Sequence, residues 1–162
     1  GFVTCFVLGH VGECFDGLCG EAGNDTLFGE AGNDRFFGGS GNDLIFGGVD
    51  NDTINGGSGF DTIDGGSGDD LLFGRFNADI FVFSDGHGQD TIEDFAALNS
   101  FERIDLREVS AISGLDDLNL LSSTTGAATQ SGTDVLIATG GSNWIVLSDT
   151  NLSDLDANDF IF

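Results

Sequence analysis

The 162-residue sequence contains no proline, no methionine and no tyrosine, and only four basic residues. So few cations leave no patch to neutralise phosphates, which excludes nucleic acid as a partner. An anionic membrane surface would repel such a chain. No stretch approaches the roughly 20 apolar residues of a spanning helix, so no membrane span is expected. The stretch from Gly1 to Leu8 has neither the basic n-region nor the long apolar run of a signal peptide. With no methionine and Gly1 at the start, the chain reads as a processed product or a piece of a longer one. Histidine is scarce too: His10 and His87 are the two bases that could activate a nucleophile. His87 lies in Asp85-Gly86-His87-Gly88 with no paired serine at an interpretable spacing, and reads as a surface turn residue. There is no H-E-x-x-H. These residues point to no enzyme within the chain, although a catalytic domain upstream in a longer protein is compatible with them.

What is abundant is acid and glycine: 28 Asp and Glu, a formal net charge of -24, and 27 Gly. Hydrophobic residues make up 40% and mean hydropathy is +0.07, enough to bury a core. The charge excess, taken alone, would keep a small chain unfolded. A bound cation resolves the conflict.

From Gly20 the sequence falls into seven uninterrupted nine-residue blocks: GEAGNDTLF, GEAGNDRFF, GGSGNDLIF, GGVDNDTIN, GGSGFDTID, GGSGDDLLF and GRFNADIFV. Position one is always glycine and position eight always apolar (Leu27, Phe36, Ile45, Ile54, Ile63, Leu72, Phe81). Position six is always aspartate: Asp25, Asp34, Asp43, Asp52, Asp61, Asp70 and Asp79. A period this strict is the mark of a repeat architecture. Glycines at positions one, two and four permit the positive φ of a tight turn; where position four departs from glycine it is Asp50 or Asn77, which tolerate the left-handed region. Positions seven to nine suit a three-residue strand whose middle residue faces the core.

A six-residue turn and a three-residue strand make half a coil, so 18 residues close one coil. The predicted fold is all-β, a parallel β-roll of two sheets across a thin core. Asp25, Asp43, Asp61 and Asp79 then stack on one edge, and Asp34, Asp52 and Asp70 on the other. Carboxylates about 5 Å apart repel by roughly 3 kcal/mol per pair at an effective dielectric of 20. A divalent ion between turns reverses that sign. Calcium suits the site because it takes six to eight oxygens in flexible geometry, and glycine turns offer carbonyls beside the carboxylates. Four turns on one edge and three on the other allow about five ions or more.

The blocks resemble the G-G-x-G-x-D-x-U-x nonapeptide of the RTX (repeat-in-toxin) calcium-binding proteins. The resemblance implies a right-handed roll with calcium held between turns by the position-six aspartates and the carbonyls at positions two and four. Those carbonyls belong to Glu21 and Gly23, Glu30 and Gly32, Gly39 and Gly41, Gly48 and Asp50, Gly57 and Gly59, and Gly66 and Gly68. After the last block, FSDGHGQDTIEDF and ERIDL resemble the segment closing the roll in serralysin-type proteases and related exoproteins. That likeness implies calcium contacts for Asp90 and Asp94. The ending Asp159-Phe160-Ile161-Phe162 resembles the uncleaved signal read by type I secretion machinery, and implies a secreted, extracellular or cell-surface protein.

Three segments are expected: a degenerate repeat or linker over 1–19, the roll over 20–82, and a β cap over 83–162. In the first, Asp16 and Leu18 keep the phase of a decayed repeat, and Cys5, Cys14 and Cys19 leave zinc, a disulfide and free thiols open. In the last, Gly140-Gly141-Ser142 reads as a hairpin, with Trp144, Ile145 and Leu147 in the cap core. Two functions compete. One is a calcium-binding module that folds outside the cell and supports the secretion and stability of an attached catalytic or toxin domain. The other is an adhesive or structural protein that self-assembles through the outward phenylalanines Phe28, Phe37, Phe46 and Phe73.

Overall fold

The computed structural model describes residues 6–8, 17–99, 102–118 and 127–162. Its strands among these are β1 (Phe6–Leu8), β2 (Leu18–Cys19), β3 (Thr26–Phe28), β4 (Arg35–Ser40), β5 (Leu44–Val49), β6 (Thr53–Ser58), β7 (Thr62–Ser67) and β8 (Leu71–Phe76). They continue with β9 (Ile80–Ser84), β10 (Gln89–Ile92), β11 (Arg103–Glu108), β12 (Ala128–Ser131), β13 (Asp134–Gly140), β14 (Asn143–Leu147) and β15 (Phe160–Ile161). Successive strands alternate between two sheets, ordered β1-β3-β5-β7-β9-β11-β15 and β12-β13-β14-β10-β8-β6-β4-β2. This is the all-β, two-sheet solenoid that the period requires.

Within the repeats every parallel pairing is offset by 18 residues, as in Leu27↔Ile45, Ile45↔Ile63, Phe36↔Ile54 and Ile54↔Leu72. The position-eight side chains meet between the sheets and are at most 1% exposed. Each such burial contributes about 1.5–3 kcal/mol, and flanking positions seven and nine face outward, as period two demands. Leu18 pairs with Phe36 in the same register, so the decayed repeat does enter the stack; Asp16 lies outside the described residues.

The strands are longer than expected. β4 to β8 run for six residues each, because pairing continues through position two and three of the following block, as in Gly48↔Gly66 and Val49↔Ser67. Glycine there lets adjacent backbones keep bonding as they begin to turn. Beyond Phe81 the offset lengthens to 20 at Thr91↔Leu71 and 23 at Ile104↔Phe81, yet β10 and β11 still add to the stack in parallel.

The cap seals both sheets. β15 pairs with β11, and β14 lies parallel to β10 and antiparallel to β13 through the glycine hairpin, with β12 on the outside. Ile145 and Leu147 are fully buried; Trp144 sits on the opposite face of the strand and is half-buried. At the other end β1 pairs antiparallel with β3. Cys19 is disulfide-bonded, while Cys5, His10 and Cys14 lie outside the described residues. Among the described residues no helix is long and apolar enough to cross a membrane.

Candidate metal centre

The position-six aspartates are not on the surface. All seven are at most 5% exposed, drawn inward beneath their turns. Five of the carboxylates reach back to the preceding coil: Asp43 Oδ1 accepts from Asp25 N at 2.9 Å, Asp52 from Asp34, Asp61 from Asp43 and Asp70 from Asp52 at 2.8 Å, and Asp79 from Asp61 at 2.9 Å. The other oxygen, Oδ2, is buried in all seven and has no hydrogen-bond partner. An ionised oxygen in that condition costs more than the 1–3 kcal/mol of a neutral orphan.

That second oxygen lies against the position-one glycine. A Cβ on Gly47 would stand 2.4 Å from Asp52 Oδ2, and one on Gly65 2.3 Å from Asp70 Oδ2. These glycines do not have positive φ. Position one is therefore glycine for space, a correction to the turn-geometry reason; positions two and four carry the positive φ, for example Gly39 at 104° and Gly41 at 126°. Asp50 (77°) and Asn77 (83°) adopt it as expected, and Glu21 (70°) and Glu30 (68°) are forced into it. The carbonyls of positions two and four point along the stack at the next coil: Gly39 O lies 2.3 Å from a Cβ on Gly57, and Gly41 O 1.8 Å from one on Gly59. The corresponding carbonyls of Glu21, Gly23, Glu30, Gly48 and Asp50 face Gly39, Gly41, Gly48, Gly66 and Gly68 in the same way.

A second row went unread in the sequence. Position-five asparagines bridge coils in the opposite sense, Asn24 Oδ1 accepting from Asn42 N at 2.8 Å and Asn51 Oδ1 from Asp69 N at 3.0 Å. The recurrent Asn-Asp pair in the first four blocks was its signal.

Burial raises the carboxyls of Asp34, Asp43, Asp52, Asp61, Asp70 and Asp79. It lifts Asp52 and Asp61 from 3.8 to about 6 and Asp70 and Asp79 to about 7, with neighbouring aspartates adding to the rise and the backbone N–H bonds opposing it. Among the described residues no three acidic, histidine or cysteine side chains converge on one point, so an ion here needs backbone carbonyls to complete its shell. Both kinds of donor are oxygen, and the carboxylates hold an unpartnered buried atom per turn. That set suits a hard cation such as calcium and not a thiolate- or imidazole-seeking metal.

The two remaining predicted ligands are placed differently. Asp90 extends the second edge, its Oδ1 accepting from Asp70 N at 3.0 Å, but its Oδ2 is hydrogen-bonded to His87 Nδ1. Asp94 receives the N–H of Gly74 at 2.9 Å and of Arg75 at 3.1 Å.

His87 corrects the sequence reading outright: it is 2% exposed and not a surface residue. Its Nε2 lies 2.6 Å from Thr139 Oγ1 on β13, and its ring meets Phe83 edge-on at 5.1 Å. The cap strand that buries it comes from 52 residues away, which no local pattern announces. The Asp90-His87-Thr139 order has the form of an acid, base and hydroxyl relay, but all three are sealed at 2% exposure or less, and a nucleophile must be reached by its substrate. Here the relay joins roll to cap.

Stacked nine-residue turns carrying buried aspartate ladders define a calcium-type repeat solenoid. The sequence profile of the RTX calcium-binding nonapeptide repeat (4 copies) matches residues 20–54, 46–81 and 129–151, together just over half of the chain, and the chain belongs to that family. The third match falls on the antiparallel β12–β14 hairpin, outside the stacked turns. Among solved structures, the chain is similar to the extracellular lipase LipA from Serratia marcescens, with 26% identity and a TM-score of 0.59 over 86% of this chain and 20% of that one. It thus spans about a fifth of the lipase's length. A second likeness is to the AlgE6R3 subunit of the Azotobacter vinelandii mannuronan C5-epimerase, at 26% identity and a TM-score of 0.34 over 88% of this chain and 79% of that one. No curated protein sequence matches the chain.

Proposed function

We propose that this chain is a calcium-triggered folding module of a larger secreted protein, which supports that protein's type I export and its stability outside the cell. The observation that carries the reading is the seven buried Oδ2 atoms without a hydrogen-bond partner. A chain at -24 that buries such atoms has a metal-free folded state working against itself. Calcium, when bound, supplies two positive charges and six to eight oxygen positions. Asp25, Asp34, Asp43, Asp52, Asp61, Asp70 and Asp79 would hold it with the position-two and position-four carbonyls, at five sites or more.

In the cytosol, where calcium is scarce, the chain stays extended and suited to threading through an export channel. Outside, millimolar calcium matches the roughly 10⁻⁴ to 10⁻³ M affinities of extracellular modules, and binding free energy becomes folding free energy. The segments 20–82 and 83–162 act as roll and cap, with 1–19 as entry. The lipase, in which a similar segment is a fifth of the chain, is a precedent for an attached catalytic domain.

The test is circular dichroism during a calcium titration, with a cooperative gain of β signal expected. Changing Asp43 and Asp61 to Ala should move the midpoint to higher calcium; an unmoved midpoint removes the ligand assignment on that edge. A second reading, calcium-dependent self-assembly, is favoured by Phe37, Phe60 and Phe76, which are 39%, 59% and 70% exposed. Sedimentation in millimolar calcium separates the two: monomers support the module, ordered assemblies the rival.

A further inference from the structure

The outward faces of the two sheets are not alike. On the sheet of β3 and β5, position nine carries phenylalanine in consecutive coils, and Phe28 and Phe46 stack with ring centroids 5.0 Å apart and planes within 7°. On the sheet of β4, β6 and β8 the same row reads Phe37, Asn55, Phe73, one residue per coil. Asparagine takes the place of the middle ring. Phe37 and Phe73 are two strand steps apart, roughly 10 Å, so a flat ring set between them stands about 5 Å from each. That is the interval at which Phe28 and Phe46 stack, and it lies in the favoured range for aromatic pairs.

The place is open. A groove of about 230 Å³ lies there, lined by Phe37, Asn55 and Phe73 and by Arg35 and Arg75. The Phe37 ring leans toward the coil before it, its Cε2 3.5 Å from where a Cβ on Gly17 would stand. Among the described residues the Asn55 side-chain amide has no hydrogen-bond partner, so its donor and acceptor are available to a ligand.

Charge sets this groove apart. The chain has four basic residues against 28 acidic ones, and two of the four line it. Arg107 is held by Asp105, and Arg103 lies on the other sheet. Arg35 is exposed and, among the described residues, has no carboxylate partner. Arg75 rests its guanidinium carbon 4.3 Å from the Phe73 ring centroid and meets Asp94 Oδ2 at 3.9 Å. Arg35 aligns with Leu71 through Thr53, and Arg75 stands further along the Leu71 strand. Strand geometry puts their Cα atoms about 16 Å apart. An extended peptide with an acid two residues to either side of an aromatic residue spreads its carboxylates over about 13 Å, which suits that pair. We propose that this groove is a docking site for an acidic peptide segment, whose aromatic side chain enters between Phe37 and Phe73 above Asn55 while its flanking carboxylates meet Arg35 and Arg75. Two guanidiniums are too few for a nucleic-acid backbone, but each is a strong partner for one carboxylate.

The test uses the full chain in millimolar calcium, its folding checked by circular dichroism, and the fluorescently labelled peptide Gly-Asp-Ser-Phe-Ser-Asp-Gly, followed by anisotropy. The expected result is saturable binding that weakens at least about tenfold when the peptide's Phe becomes Ala, and about threefold in Arg35→Gln. Asn55→Phe gives this row the ring that the other sheet carries; it is expected to abolish binding and leave the calcium titration of the β signal unmoved. A peptide that does not bind, or that binds Asn55→Phe as well as wild type, overturns the proposal. Uptake of a glucuronate oligomer in place of the peptide assigns the groove to an acidic saccharide and overturns it too. So does a dimer in sedimentation that Asn55→Phe dissolves, since the occupant is then a second copy. Should Asn55→Phe fail to fold, Arg35→Glu decides, because Arg35 is exposed: lost binding supports the site and unchanged affinity overturns it.

Discussion

At the residue scale, the repeat assigns different physical tasks to glycines that look alike. Those at positions two and four supply positive φ, whereas position one supplies an absence of volume into which the aspartate five residues on folds. Gly47→Ala isolates that second task, because its backbone is one that alanine adopts freely while its Cβ would sit 2.4 Å from both Asp52 Oδ2 and Gly65 O. The expected outcome is a calcium midpoint moved sharply upward or a β signal that never develops, read by circular dichroism; a wild-type titration would refute the packing account. That glycine recurs at position one was legible in the sequence. Its reason was not, because the atom that excludes a Cβ belongs to a side chain whose inward rotamer only the folded turn reveals.

At the scale of the strand and turn, two rows of side-chain bonds run in opposite senses between coils, carboxylates reaching back and asparagines receiving from ahead. The 18-residue offset, the buried position eight and the stacking of aspartates followed from the period alone. The two-residue lengthening before Asp90 and the offset of 23 at Ile104↔Phe81 did not, since both rest on pairing across an irregular loop. A carboxyl raised by folding holds its proton more tightly in the folded than in the unfolded chain. With Asp52 and Asp61 at about 6 and Asp70 and Asp79 at about 7, the folded roll binds more protons from about pH 4 upward to 7, and its metal-free stability falls as pH rises through that window. In chelator, taking the chain from pH 8 to 5 is therefore expected to raise β content and thermal midpoint, and calcium uptake near pH 6 to release protons. A metal-free chain whose spectrum and melting ignore pH over that range would contradict the ladder's burial.

At the scale of the whole molecule, the roll and its cap are tied by one sealed line of side chains, Asp90 to His87 to Thr139. Replacing Thr139 with Val removes the hydroxyl at nearly constant volume and leaves His87 Nε2 buried and unpaired, a cost of about 1–3 kcal/mol. Amide exchange in β13 and β14 should quicken while that of β5 and β6 holds; equal quickening throughout would show that the cap and roll melt as one. The carboxylate rows also give the stack a sense of direction. A bare face toward the amino end presents aspartate oxygens, and a bare face toward the carboxyl end presents the amides that would receive them. Two uncapped copies would accordingly join head to tail, and such a contact repeats without closing. By occupying one of those faces permanently, β10, β11 and the strands beyond them turn an architecture of indefinite length into a finite particle.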